Sequence, residues 1–400
     1  MAKIVIVDSE QGTKTPFLRG ILTSSLLEAG LSFEEAYKLA STIRHKFADR
    51  TKITTREMRE MVVRELIQRD DVDALDNYTG ATQSTRIIQI RDKKGDLSPF
   101  SPVRHRQSLE SSGLSTEKSS LVSQLVMKTL KESQRPEYHV DEIGRTTYTL
   151  LDKELGQEAA ERYLVWIDYT RSGRPLILLL GGATGCGKST VATEVAHRLG
   201  IIRTQSTDML REVMRMMIPE RLLPTLHTSS FNAWRKLPGL DESKPSVELI
   251  IMGYKHQAEM VSVPCEAVIQ RALREKVSLI LEGIHISPPL LQRISGRRDA
   301  VIVPIMLAVL KPDQLRNQLE GRGVVAPDRE SSQYLANFNH IWELQSYLLS
   351  EADNSGSMDI IANDDKDQTT ERVMRSINDV LTKDFNARVD DIFGRTLSKS

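Results

Sequence analysis

Residues 182–189 read Gly-Ala-Thr-Gly-Cys-Gly-Lys-Ser, a glycine-rich loop ending in a lysine and a hydroxyl. That order suits a polyphosphate: glycines let successive backbone N–H groups curve around anionic oxygens, and a helix beginning at the loop's end adds partial positive charge. The spacing lets Lys188 reach the β- and γ-phosphates of a nucleoside triphosphate and the Ser189 hydroxyl ligate Mg²⁺. The nucleotide contacts expected are Gly182, Ala183, Thr184, Gly185, Cys186, Gly187, Lys188, Ser189 and Thr190. Two carboxylates complete the pattern. Glu282 closes the apolar run Val277–Leu281, and a charge at the end of a buried strand is costly unless paired, so the metal or its water shell is its natural partner. Asp208 follows the run 202–206, where an acidic group orients an acceptor hydroxyl near the γ-phosphate. Together these residues point to phosphoryl transfer from ATP with Mg²⁺.

The elements that would position them are legible. Pro175–Leu180 is a short apolar run of buried-strand type, and Lys188–Leu199 places Val191, Val195 and Leu199 on one helical face before Gly200 stops the helix. Further strands are expected at 202–206, 277–282, 300–308 and 358–362, alternating with helices as in a parallel sheet whose chemistry collects at the strands' carboxyl ends. Thr207 or Asp208 is expected to cap the helix at Met209–Met217, and capping by Thr207 leaves Asp208 free. The long stretch before Val277 is read as the acceptor region. Within it Leu223–Trp234 is loop-like, rich in hydroxyls and flanked by cations that suit an anion. Expected acceptor contacts are Asp208, Arg211, Arg215, His227, Ser229, Ser230, Trp234 and His285. An arginine-bearing lid follows the fourth strand, with Arg316, Arg322 and Arg329 on it and Arg322 and Arg329 as catalytic candidates beside Lys188 and Asp208. Phe338, Ile341, Trp342, Leu344, Leu348 and Leu349 form a core stripe, and Asn363-Asp364 closes the last strand near where a purine would lie.

The region before this core contains one pattern twice. Gly12-Thr13-Lys14-Thr15-Pro16-Phe17 returns as Gly95-Asp96-Leu97-Ser98-Pro99-Phe100, an offset of 83 that also carries Gly30-Leu31-Ser32 onto Gly113-Leu114-Ser115. Leu39, Ile43 and Phe47 then land on Val122, Val126 and Leu130, and at an offset of 85 Leu66 and Tyr78 land on Leu151 and Tyr163. A linker has no reason to hold such distances. A short ribbon, Pro-Phe and several helices resemble the ATP-cone, a small regulatory nucleotide-binding module. Lys14 and Arg19 could meet phosphates in the first copy, whereas the second has Leu97 and Pro102 there. The expected domains are an ATP-cone-like module at 1–80, a degenerate repeat at 86–168 and a kinase-type domain at 172–400.

Composition narrows the function class. Basic and acidic residues balance at 54 each, so no global field attracts nucleic acid or an anionic membrane. Leu176–Leu180 and Val301–Leu310 are too short to span a bilayer, and Met1-Ala2-Lys3 leads into a strand-like run without a signal-peptide pattern, so a cytoplasmic location is expected. Cys186 and Cys265 supply neither a disulfide framework nor a ligand cluster.

Several longer phrases resemble the 2-phosphoglycerate kinase family: Gly181–Thr190, Thr207–Arg215, Leu223-Pro224-Thr225-Leu226-His227-Thr228-Ser229-Ser230-Phe231-Asn232-Ala233-Trp234, Glu266–Leu273, Leu281–His285 and Tyr334–Tyr347. The resemblance implies ATP-dependent phosphorylation of 2-phosphoglycerate to 2,3-bisphosphoglycerate and an N-terminal ATP-cone. The fold expected is α/β, a P-loop kinase with a five-stranded parallel sheet and a helical lid, preceded by two small, mainly helical ATP-cone-like modules, of which the second departs from the shorter archaeal form of the family. Cations around His227 suit either a small phosphorylated acid or an inositol phosphate or similar polyol. A non-catalytic adenylate sensor is the reading from another class. The partners expected are a small phosphorylated anion and further copies of the chain, with no nucleic acid and no membrane.

Overall fold

The computed structural model describes residues 5–7, 14–17, 19–29, 31–47, 50–69, 74–75, 78, 88–133, 135–237, 245–294, 296–325 and 331–394. The chain divides into two compact units, residues 1–87 and 88–400.

In the first unit β1 (Val5–Val7), β2 (Lys14–Pro16), α1 (Arg19–Glu28), α2 (Phe33–Lys46), β3 (Lys52–Thr54) and α3 (Thr55–Gln68) follow in order. The small sheet runs β2-β1-β3, antiparallel then parallel. Capping boxes start two of the helices, Ser32 with Glu35 and Thr54 with Glu57, each pair satisfying N–H groups that the first turn leaves open. Leu26, Leu39, Ile43 and Leu66 fill the core. The side chains of Lys14 and Arg19 lie outside the described residues.

The second unit opens with the same plan: β4 (Gln89–Arg91), β5 (Leu97–Pro99), α4 (Pro102–Ser111), α5 (Thr116–Glu132), β6 (Glu137–His139), α6 (Val140–Leu155) and α7 (Gln157–Ser172). Its sheet runs β5-β4-β6 with the same antiparallel and parallel pairs. Ser115 and His139 cap α5 and α6 at the offsets that carry Ser32 and Thr54 onto them. Leu97 is exposed, and Pro102 occupies the first turn of α4.

Five strands form the main sheet: β7 (Leu176–Gly181), then β8 (Thr204–Ser206), β9 (Leu279–Gly283), β10 (Val301–Ala308) and β11 (Asp359–Ala362). All pairs are parallel, in the order β11-β10-β7-β9-β8. They fall on the five stretches expected as strands, four of them apolar and β8 the polar Thr204-Gln205-Ser206. Leu176–Leu180 is at most 1% exposed because helices cover both faces of the central strand. Each such leucine contributes about 2 kcal/mol of burial. The crossovers are α8 (Lys188–Leu199), α9 (Thr207–Met217), the 29-residue α10 (Val247–Glu275), α11 (Pro288–Ile294), α12 (Pro312–Val325), α13 (Ser331–Ala336) and α14 (Phe338–Ser355). After β11 come α15 (Lys366–Asp384) and α16 (Val389–Phe393). Gly200, left-handed at φ 64°, ends α8 as expected. Among the described residues no helix is long and apolar enough to cross a membrane.

The sequence pattern does not foresee where the last helix goes. Ile392 and Phe393 of α16 pack into the same core as Leu109, Val122, Leu130 and Leu151, the core of the repeat at 88–168. The repeat also touches the end of α8, where Ser111 Oγ donates to the Arg198 carbonyl at 2.6 Å. It thus shares one compact unit with the main sheet.

Candidate active site

The carboxyl ends of β7, β8, β9 and β11 gather most of the residues that the sequence singles out. After β7 the loop turns into α8 through Gly187 at φ 82°, where a Cβ would come 2.3 Å from Asn363 Nδ2. Only glycine fits there. Lys188 is 7% exposed and folds back over the loop, donating from Nζ to the Ala183 carbonyl at 2.8 Å. Cys186 is fully buried beneath it. Asn363 is buried, and its Nδ2 donates to the Cys186 carbonyl at 2.8 Å. Its Oδ1 accepts from Thr369 Oγ1 at 2.9 Å, which fixes the orientation of the amide.

Ser189 Oγ donates to Glu282 Oε1 at 2.9 Å. Glu282 is 8% exposed and forms no ion pair among the described residues. A hydroxyl and an unneutralised carboxylate side by side make a hard-oxygen donor set that fits Mg²⁺ held mainly by phosphate and water. Both line a cavity of about 350 Å³ with Thr193, Ser206 and Met209.

Ser206 pairs with Glu282 in the β8–β9 register and caps α9, its side chain accepting from the Asp208 N–H at 3.2 Å. The cap is therefore one residue earlier than expected, because Ser206 still holds an extended conformation (φ −101°, ψ 136°) while Thr207 is already helical. Asp208 is exposed, its carboxylate not used for capping. Thr207 is fully buried.

The acceptor segment folds as two tight 3₁₀ turns, Pro224–His227 and Ser230–Lys236. Arg211 reaches it from α9, donating from Nη1 to the carbonyls of Leu226 and Thr228, both at 2.9 Å, and from Nη2 to Glu212. Its buried Nε has no partner among the described residues. Arg215 pairs with Glu212 at 2.6 Å and keeps a half-open face. His227 meets the Ile218 carbonyl through Nε2 at 2.8 Å, and Ser229, half-buried, precedes the second turn. Trp234 is buried, edge-on to His340, with the Arg235 guanidinium 5.2 Å from its ring centroid.

His285 differs most from expectation. It is fully buried, with Nδ1 2.9 Å from Thr207 Oγ1 and Nε2 within 3.4 Å of both Gln257 Oε1 and Ser230 Oγ. Direct contact with a substrate is thereby replaced by contact with three residues behind the surface. Burial pushes its pKa down to about 4, Arg211 and Lys188 adding to the shift and Asp208 opposing it. Gln257 belongs to no motif that the sequence marks. A signal was available: it stands in the buried stripe Ile250, Tyr254, Val261 of α10, where a polar side chain must find internal partners.

Helix α12, where the lid is expected to begin, packs on the loop so closely that a Cβ on Gly185 would come 2.7 Å from Leu319 Cδ2. Arg316 lies on this helix with its guanidinium 4.1 Å from the Phe338 ring centroid. Arg322 belongs to α12 by its backbone, but its side chain, like the whole of Arg329, lies outside the described residues.

No family model matches the chain. Individual relatives do. It is 35% identical over 295 residues to the 2-phosphoglycerate kinase of Pyrococcus furiosus, covering 73% of this chain and 93% of that protein. Against the 2-phosphoglycerate kinase of Pyrococcus horikoshii it is 34% identical over 292 residues, covering 73% and 94%. With that of Thermococcus kodakarensis the identity is 35% over 289 residues, covering 72% and 95%.

Proposed function

The chain belongs to the 2-phosphoglycerate kinase family, and we propose that it phosphorylates the free hydroxyl of 2-phosphoglycerate with ATP to give 2,3-bisphosphoglycerate. The observation that carries this reading is the strand order, which sets Lys188 and Ser189 after β7, Glu282 on β9 and Asp208 after β8 on three neighbouring strand ends.

Each group then has a task. The loop N–H groups from Gly182 to Thr190 wrap the triphosphate, and the Lys188 ammonium leaves the Ala183 carbonyl for the β- and γ-phosphate oxygens. Mg²⁺, which neutralises phosphate charge when bound, would be held by Ser189 Oγ and, through water, by Glu282. Asp208 accepts a hydrogen bond from the acceptor hydroxyl and aims its oxygen at the γ-phosphorus. The new O–P bond forms as the bridge to the β-phosphate breaks, ADP leaves, and the hydroxyl proton passes to Asp208 and on to water. Arg215, Arg211 and the lid arginines, Arg322 and Arg329, answer the charge of acceptor and transferring group. The domain layout 1–80, 86–168 and 172–400 belongs to the same proposal, with ATP-cone-like modules ahead of the kinase; the shared strand order of the two small sheets supports it.

A coupled assay of the full-length protein with ATP and Mg²⁺, run against 2-phosphoglycerate, 3-phosphoglycerate and inositol phosphates, tests the reading. Saturable turnover with 2-phosphoglycerate is expected, and a preference for an inositol phosphate overturns it. Lys188→Ala should abolish turnover and leave the melting transition in place.

A further inference from the structure

The contacts of His285 fix the direction of a buried hydrogen-bond chain. Gln257, fully buried on α10, donates from Nε2 to the carbonyls of Thr225 and Thr228, the latter at 3.0 Å. Two carbonyl acceptors assign the amide: its nitrogen faces the acceptor segment, so its oxygen faces His285. An oxygen 3.2 Å from His285 Nε2 can only accept, which places the ring proton on Nε2. His285 Nδ1 is then bare and accepts from the Thr207 hydroxyl at 2.9 Å. Every proton points one way, from Thr207 through His285 and Gln257 to the backbone of the acceptor segment.

Chain members come from the elements that carry the reacting groups. Thr207 immediately precedes Asp208, His285 lies three residues after Glu282, and Gln257 grips the segment 224–236 from beneath. Arg211, one turn along α9 from Thr207, donates to the same Thr228 carbonyl, so that carbonyl is held from two sides. Apolar side chains would fill this volume without any polar group to satisfy. A fully satisfied polar chain instead fixes relative positions, because a displaced member leaves buried groups unpaired.

We propose that Thr207, His285 and Gln257 are positioning residues that set the distance and angle between Asp208 and the acceptor-binding turns, and so govern use of the phosphorylated hydroxy-acid without touching it. The inference rests on the kinase reading of this site. It predicts a division of effects: the acceptor half of the site is disturbed while the nucleotide half, built on β7 and α8, keeps its geometry.

The test compares full-length wild type with Thr207→Val, Thr207→Ser and Gln257→Leu in steady-state kinetics, and with NMR of protein carrying ¹⁵N-labelled histidine. Thr207→Val removes one hydroxyl and keeps the shape. It should lower kcat/KM for 2-phosphoglycerate by roughly tenfold or more, since small misplacements of reacting groups are costly, while KM for ATP moves by less than about twofold. Thr207→Ser restores the donor and should recover most of the loss, which a general packing defect would not allow. Gln257→Leu should act as Thr207→Val does. The wild-type ring should show His285 as the Nε2–H tautomer at neutral pH. An Nδ1–H tautomer overturns the inference whatever the acceptor is, and so does an unchanged kcat/KM in Thr207→Val, a parallel rise in KM for ATP, or a serine variant no better than the valine. If Gln257→Leu does not fold, the Thr207 pair and the tautomer decide alone. A wild type with the Nε2–H tautomer that does not turn over 2-phosphoglycerate overturns the functional reading instead.

Discussion

Asn363 and Cys186 are 177 residues apart and joined by one hydrogen bond of 2.8 Å, from the Asn363 amide to the Cys186 carbonyl. Strand β11, at the edge of the sheet, thereby holds the phosphate loop from across β10, while Glu282 on β9 holds Ser189 from the other side. The loop is braced from both sides by these contacts, and bracing of this kind reduces the ordering that binding must supply.

Asn363→Ala removes that brace and leaves a buried carbonyl unpaired, at a cost of about 1–3 kcal/mol. KM for ATP should rise several-fold or more, with KM for the acceptor little changed. Nucleotide titration checks it, and unaltered ATP affinity in a folded variant contradicts the bracing role.

Gly283→Ala would place a methyl 1.8 Å from Thr207 Oγ1, too close to relieve by a rotamer change. Thr207 must move and Asp208 with it. Acceptor turnover should fall by roughly a hundredfold, and a variant retaining wild-type kcat shows that the contact is relieved elsewhere.

Two buried histidines make stability depend on pH. Burial lowers His285 to about 4, and does the same to His105, which sits between Ser123 and Thr147. The unfolded chain binds protons near the ordinary value of 6.5, the folded one only near 4, so the unfolded state takes up more protons within that window. Stability is fully present above pH 6.5 and is lost as the pH falls toward 4, by an amount of order 3 kcal/mol per histidine. Urea midpoints across the window measure it; a flat profile removes the claim.

Phe393 packs so tightly against α6 that a Cβ on Gly144 would come 2.2 Å from its ring. The Arg171 guanidinium lies 5.4 Å from the ring centroid, and Arg145 pairs with Asp390 at 2.7 Å. Phe393→Ala should cost about 3–5 kcal/mol and lower the melting temperature of the 88–400 unit in calorimetry. A melt matching wild type would mean that this C-terminal helix contributes nothing to the repeat's core.

Much of this protein is local and therefore legible in the chain. Four of the five strand positions follow from apolar runs, the end of α8 from Gly200, and the loop from glycines and a lysine at fixed spacing, because each depends on neighbours a few residues away. The repeat is legible for the same reason, since its caps and turns recur at constant offsets. What the tertiary structure decided are contacts that sequence separation hides. Ser206 rather than Thr207 caps α9 because β8 stays extended for one residue more. His285 turns inward because α10 brings Gln257 beneath it, 28 residues distant in the chain. Asn363 meets the loop because β11, at the sheet edge, ends beside Cys186, 177 residues away in the chain. Burial and hydrogen-bond partners belong to the packed whole, and a side chain's type alone does not determine them.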